Sequence, residues 1–236
     1  MNKFLMFALF VLLTNIAFSQ VEKKANQFDG YIIKNDSTKI EGVIEINGSE
    51  TYPWLNQNSV KYIPKEAFLN KKVKSKDKTK YDPKDLLEYC AGNREFETKK
   101  YANLLEGGAA VLPQRYFMER LVNGTISVYV YYESPPDVQV GTPEEIEAEY
   151  NRCRIKDILI QKGEEKLKNL AFVDIMEYIS DCPEVKEKYV NGDYGIIPKN
   201  DGTKEGLGKV FASLGDDVQK IIVPLTTDYN KYMKSK

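Results

Sequence analysis

The chain has 236 residues, 42% hydrophobic and 29% charged, with 34 Lys and Arg against 35 Asp and Glu and no histidine. Near-neutral charge leaves no electrostatic footprint for nucleic acid, so no nucleic-acid partner is expected, and the composition excludes a disordered or fibrous chain. Without imidazole, Ser-His-Asp and Cys-His catalysis and His-ligated metal sites are absent in their usual form, no cofactor is expected, and any acid–base chemistry must use carboxylates, Tyr, Lys or Cys.

The first residues read as a secretory leader. Met1-Asn2-Lys3 is a short positive start, and Phe4 to Phe18 is apolar apart from Thr14 and Asn15. Ala17 and Ser19 are the small residues at −3 and −1 of a cut before Gln20. The run is shorter than the roughly 20 residues a spanning helix needs, and no later stretch is apolar enough to span a membrane. Residues 1–19 are therefore expected to be removed, leaving 217 residues, enough for a substantial core. Three cysteines, Cys90, Cys153 and Cys182, are too few for a disulfide scaffold. Two could pair in an oxidising compartment, or all three could be buried thiols.

Residues 20–170 read mainly as strands. Phe28–Lys34 and Thr38–Ile46 flank the turn Asn35-Asp36-Ser37 as a hairpin, with Ile40, Ile44 and Ile46 alternating against Lys39, Val43 and Glu45. Ser59–Ile63 and Glu66–Lys74 are further candidate strands. Tyr81-Asp82-Pro83-Lys84-Asp85 is turn chemistry, Leu86–Cys90 and Glu95–Tyr101 read as extended, and residues 106–110 read as a flexible loop. Arg115 to Tyr132 is the clearest local signal: two β-rich runs around Asn123-Gly124, the preferred pair for a type I′ turn. Thr142-Pro143-Glu144-Glu145 has the cap, first-turn proline and capping-box acid of a helix start. Arg154–Gln161 and Lys166–Leu170 read as a hairpin around Gly163.

After Leu170 the period changes to that of helices. Phe172, Ile175, Met176 and Ile179 share one face, and Asp181 with Glu184 suggests a capping box for a second helix ended by Asn191-Gly192. Asp216 to Met233 reads as a last helix, with Val218, Ile221, Ile222, Leu225, Tyr229 and Tyr232 inward and Pro224 expected to kink or split it. The sum is an α+β chain: an N-terminal antiparallel sheet or partly closed barrel, followed by a helical segment at 171–236 packed on it as one domain.

Several features invite a functional reading. Lys72, Lys74, Lys76, Lys78 and Lys80 recur every second residue, so on a strand they share one face that could hold an anionic glycan, or simply guard a sheet edge. Tyr52, Trp54 and Tyr62 cluster early, and Tyr116, Phe117, Tyr129, Tyr131 and Tyr132 lie on the main hairpin. On period two, Val128 and Val130 form the core face, leaving Tyr129 and Tyr131 as a candidate exposed binding pair. Glu144, Glu145, Glu147 and Glu149 lack the spacing of a calcium loop. Residues 202–210 fail as a phosphate loop, because Val210 stands where Ser or Thr belongs. Asp77, Asp82, Asp85 and Glu88 could supply a carboxylate pair for glycoside chemistry.

The leader ending Phe18-Ser19-Gln20, the opening Asp29-Gly30-Tyr31-Ile32-Ile33 with Thr38-Lys39-Ile40-Glu41-Gly42, and the segments 81–85, 117–124 and 180–183 together resemble a group of exported proteins of Bacteroidetes, especially flavobacteria. That resemblance implies a periplasmic or cell-surface home and transfers no activity and no catalytic residue. In such bacteria Asp36-Ser37-Thr38 also matches an O-glycosylation pattern. The resulting expectation is an exported, non-enzymatic binding module of the envelope, with an envelope protein or anionic glycan as partner. The alternatives are a carboxylate-based hydrolase of envelope glycans and a structural component of an envelope assembly.

Overall fold

The computed structural model describes residues 22–69, 73–102, 112–136, 138–196 and 217–236. The leader, Lys72, the loop at 106–110 and the segment 202–210 lie outside the described residues. Ten strands form one open antiparallel sheet: β1 (Gln27–Lys34), β2 (Lys39–Ile46), β3 (Val60–Pro64), β4 (Thr79–Tyr81), β5 (Leu86–Ala91), β6 (Arg94–Tyr101), β7 (Gln114–Val122), β8 (Ile126–Tyr132), β9 (Lys156–Lys162) and β10 (Lys168–Asn169). Helices α1 (Leu55–Asn58), α2 (Lys65–Leu69) and α3 (Pro143–Cys153) interrupt the strands, and α4 (Ile175–Tyr178), α5 (Pro183–Asn191) and α6 (Asp217–Lys234) follow them. The molecule is thus α+β. Among the described residues, no helix is long and apolar enough to cross a membrane.

The strand order, β10-β9-β8-β7-β6-β5-β1-β2-β3-β4, makes β1 the hinge of two meanders. One runs outward through β2, β3 and β4; the other starts on the far side of β1 with β5. Crossing from β4 to β5 in a flat sheet means four strand spacings, about 19 Å. The four linking residues Asp82–Asp85 reach at most about 18 Å when fully extended, and they are folded as a turn, with Asp85 N–H donating to the Asp82 carbonyl at 2.9 Å. The sheet must therefore coil strongly to bring β4 back towards β5.

Coiling creates an interior on one sheet face. Ile32, Ile44, Ile46, Val60, Tyr62, Leu86, Tyr89, Ala91, Phe96 and Phe117 fill the hollow of strands β1 to β7. Tyr89 stacks on Phe96 at 4.5 Å and meets Phe117 edge-on at 4.9 Å. On the same face, Val128, Val130, Ile158 and Ile160 lie under the helices, against Ile175, Ile179, Val185, Tyr189, Ile222, Leu225 and Tyr229. Val128 and Val130 are thus core, as the alternation predicts. On the opposite face, Phe68 of α2 covers Val43 and Ile63.

Several local expectations are corrected by tertiary contacts. The segment predicted as a strand at Glu66–Lys74 begins as helix α2, because Lys65-Glu66-Ala67-Phe68-Leu69 are mostly good helix formers and Phe68 finds a partner surface on the sheet. Asn123-Gly124 is not a type I′ turn. Neither residue has a positive φ, and the side chain of Asn230 on α6 instead pairs with both backbone groups of Ile126, at 2.8 Å each. Asp181 does not cap α5; Cys182 is the cap residue, and Asp181 accepts from Lys162 and Tyr229. Pro224 neither splits nor ends α6, which runs 18 residues with Val218, Ile221, Ile222, Leu225 and Tyr229 buried. Phe172 is exposed rather than on an inward face. The capping box of α3, with Thr142 and Glu145, forms as the sequence predicts.

At the β1–β2 turn Asp36 accepts from Thr38 N–H at 2.9 Å. Exposed Ser37 has φ 66°, and no other described non-glycine residue has a positive φ. At the hinge itself, β1 and β5 approach so closely at Gly30 that a Cβ there would collide with the Cys90 carbonyl oxygen. Gly30→Ala is therefore expected to destabilise the fold by about 3 kcal/mol or more, since relief requires parting two central strands. Urea unfolding reads this directly, and a loss under 1 kcal/mol would show that the hinge tolerates separation.

Candidate functional site

Pairing places Ile40, Ile32, Tyr89, Phe96, Glu119, Val130 and Ile158 in one row across seven strands of the interior face. Six are apolar or aromatic, and Glu119 alone is charged. It stands where the coiled hollow meets the helix-covered half. Arg94 on β6 answers it with a bidentate pair, Nε to Oε1 at 2.8 Å and Nη2 to Oε2 at 2.7 Å. These hydrogen bonds, together with the Glu119 charge, outweigh burial and raise the Arg94 pKa above its ordinary value. The guanidinium also lies 4.9 Å over the Phe96 ring.

The seam opens because β7 and β8 pair only briefly. Their ladder covers Glu119 to Val122 against Val128 to Val130, with a bulge between Arg120 and Val122. Beyond it, Gln57 of α1 takes the place of a strand, accepting from Tyr132 N–H at 2.7 Å and donating to the Tyr132 carbonyl at 2.8 Å. Tyr89 fixes α1 from below through its hydroxyl on the Asn56 carbonyl at 3.0 Å.

A half-open cavity of about 450 Å³ occupies this seam. Arg94, Glu119, Tyr132 and Lys156 form its sheet side; Ser49, Glu50 and Pro53 come from the segment leading into α1 and Asn56 from α1 itself; Arg154 closes it from the end of α3. Trp54 stacks on Tyr150 of α3 at 5.9 Å, holding that segment against the helix. The lining carries three cations and two carboxylates, an arrangement suited to holding a polar ligand.

The residues singled out in the sequence are not gathered here. Tyr129 and Tyr131 are not an exposed pair but 1% and 3% exposed. Both lie on the outer sheet face, packed with Tyr101, Met118 and Leu159, with Tyr101 and Tyr116 edge-on to Tyr131. The sheet is buried on both faces at this point, which alternation along a single strand does not reveal. Lys74, Lys76, Lys78 and Lys80 do not share a strand face: Lys74 and Lys76 belong to a 3₁₀ turn, and Lys80 sits on edge strand β4. Lys78 is paired to buried Glu45 at 2.6 Å, and Lys80 to Asp82 at 3.2 Å. Strand order puts β4 and β8 far apart in the sheet.

The other candidates are engaged locally. Asp77 and Asp85 accept from backbone N–H groups in turns, Glu147 and Glu149 pair with Arg154 and Arg152, and no group of three His, Cys, Asp or Glu among the described residues could hold a metal. All three cysteines are buried free thiols. Burial first, then Glu95 and Glu88, pushes the Cys90 thiol pKa up, which works against a thiolate nucleophile.

A second polar cluster lies on the outer face. Arg120 donates to Glu97 at 3.0 Å, Glu88 at 3.1 Å and Glu95 at 2.7 Å. Tyr31 bonds Glu88 at 2.7 Å and Tyr129 bonds Glu97 at 2.8 Å, so the cluster ties together β1, β5, β6, β7 and β8. It is a brace in which Arg120, helped by Lys99 on Glu97, answers three carboxylates. Comparison with protein-family models, with characterised proteins and with solved structures gives no match.

The brace has a pH signature. Burial alone would raise the Glu97 pKa, but hydrogen bonds from Lys99 and Tyr129 and the charges of Lys99 and Arg120 outweigh it and hold it below the ordinary 4.5. A depressed carboxylate stabilises the fold fully above its ordinary value, and that contribution is lost as pH falls through the lower folded value. Arg120→Met is expected to cost about 3 kcal/mol at pH 7 by removing the cation shared by three carboxylates, and less at pH 3.5, below the ordinary Glu97 value, where the contribution of that carboxylate is being lost. Urea unfolding at both pH values checks this; an equal cost at both would assign the effect to packing of the Arg120 stem.

Proposed function

We propose that the protein is an exported, non-enzymatic binding module of the cell envelope, and that it holds a polar ligand in the cavity at the seam between the two halves of its sheet. The leader pattern and the resemblance to exported proteins of Bacteroidetes support the periplasm or cell surface as its location. The observation that carries the binding reading is Glu119. A largely covered charged side chain in an otherwise apolar cross-strand row costs desolvation that a hydrophobic residue there would not. Here it forms the floor of a cavity lined mainly by polar and charged side chains. Charges kept at such a place are better accounted for by a ligand than by stability.

A carboxylate-based hydrolase of envelope glycans would have to use Glu50 and Glu119, the two acids on this cavity. Such chemistry needs one carboxyl group that carries a proton to donate. Both oxygens of Glu119 instead accept from Arg94, which favours a holding role.

Two measurements test the reading. In the native host, the protein is expected in the periplasmic or surface fraction with an intact mass beginning at Gln20. With ¹⁵N-labelled residues 20–236, a screen of small polar fragments is expected to shift amides near Asn56, Arg94, Glu119, Tyr132 and Lys156, while envelope glycans incubated with the protein gain no new reducing ends. An uncleaved mass overturns export, new reducing ends establish the hydrolase, and shifts that map elsewhere remove the cavity as the site.

A further inference from the structure

The unused hydrogen-bonding groups of the cavity define the chemistry of what it accepts. Arg94 uses Nε and Nη2 on Glu119, and its Nη1 has no partner among the described residues. Arg154 donates from Nε to the Thr51 carbonyl at 3.0 Å and from Nη1 to Glu147 and Asn151, and its Nη2 has no partner among the described residues. Asn56 is only 3% exposed. Its Oδ1 is committed to Gly48 N–H at 2.6 Å, which fixes the orientation of the amide and leaves Nδ2 as a donor with no described acceptor. The approach is close: a Cβ on Gly48 would stand 2.6 Å from Asn56 Cγ. Asn56 lines the cavity, so this donor is within reach of what enters it.

Three unmet N–H donors therefore come from three different walls. Arg94 is answered by Glu119 and Arg154 by Glu147, so the open N–H edges rather than a surplus of charge are what the site offers a ligand. Glu50 makes no hydrogen bond or ion pair among the described residues and, with Ser49, offers acceptors to hydroxyl groups at the same opening. On the same segment Tyr52 is 43% exposed, held edge-on by Trp54 at 5.6 Å and Tyr150 at 6.0 Å. A rigid exposed ring suits the C–H face of a pyranose, whose hydrogens carry slight positive charge towards the aromatic quadrupole.

We infer that the cavity binds an acidic saccharide, with the carboxylate of one uronic acid unit received by Asn56 Nδ2 and the open edges of Arg94 and Arg154, hydroxyls received by Ser49 and Glu50, and a neighbouring sugar ring set against Tyr52. This rests on the cavity being the binding site. The volume of about 450 Å³ lies towards the low end for small-molecule sites, which suits a one- or two-residue end of a chain better than a long groove-bound polymer.

The test titrates ¹⁵N-labelled residues 20–236 with trigalacturonate, maltotriose and tri-glutamate, following amide shifts and heats of binding. Trigalacturonate is expected to bind at the cavity at least tenfold tighter than either of the others. Asn56→Asp, which keeps the acceptor for Gly48 and replaces the donor by a second carboxylate oxygen, is expected to weaken it tenfold or more. Arg154→Met, at the rim and away from the buried amide, is expected to weaken it several-fold should Asn56→Asp fail to fold. Equal binding of maltotriose overturns the carboxylate assignment, and equal or tighter binding of tri-glutamate overturns the sugar assignment, both leaving the cavity as the site. No binding of any probe to protein that still responds to polar fragments at the cavity overturns the saccharide inference alone. Binding that maps elsewhere overturns both readings.

Discussion

Four residues, Asp82 to Asp85, join two strands that lie four places apart in the sheet, and the architecture follows from that short link. The sheet has to coil until β4 returns towards β5. Coiling turns one face inward around Ile32, Ile44, Tyr89 and Phe96, so the first half of the molecule makes a core without a covering layer of helices. The second half, β8 to β10, lies beyond the coil. Its Val128, Val130, Ile158 and Ile160 would stay wet but for α4, α5 and α6, which supply Ile175, Ile179, Val185, Ile222, Leu225 and Tyr229. One sheet therefore carries two cores built in different ways, and the place where they meet is packed by neither.

Polar groups manage that junction. Gln57 and Asn230 each use an amide side chain as a substitute strand, one at Tyr132 and the other at Ile126, the two ends of β8. Buried backbone groups left by a short ladder must find partners, and these two side chains provide them with the geometry of a β pair. Glu119 and Arg94 serve the same seam as a charged pair. On the reverse face Arg120, the next residue along β7, gathers three carboxylates. Successive strand residues point to opposite faces, so one dipeptide in the middle of the sheet contributes to both the cavity and the brace. The brace holds five strands in register behind the cavity, which keeps its floor stiff.

The proposed binding function and the fold are thus connected through rigidity. The loop carrying Ser49, Glu50, Tyr52 and Asn56 is held by Trp54 against Tyr150 and by Tyr89 under Asn56, so the donors meet a ligand without first being ordered. Preorganisation of this kind lowers the entropy cost of binding. The cavity also presents open N–H edges of Arg94, Arg154 and Asn56, which suits an acceptor group on what it receives.

What the sequence by itself determined is local. Alternation located β2, composition and turn residues located β1, β5 and β6, the Thr142–Glu145 box placed the start of α3, and the spacing of Val218, Ile221, Ile222, Leu225 and Tyr229 gave the buried face of α6. Each signal is carried by residues within a turn or two of one another. The coil, the seam and the cavity were not legible, because Asn56, Arg94, Glu119 and Lys156 come from four separate elements and meet only through strand order. One clue was present: Glu119 and Arg120 put opposite charges on both faces of the strand with the clearest β signal, where two apolar faces would be ordinary. Tyr129 and Tyr131 misled for the converse reason. Period two tells which residues share a face, but whether that face is covered depends on what folds over it. The tertiary structure alone decided that, because burial is a property of distant segments brought together and not of any one stretch of chain.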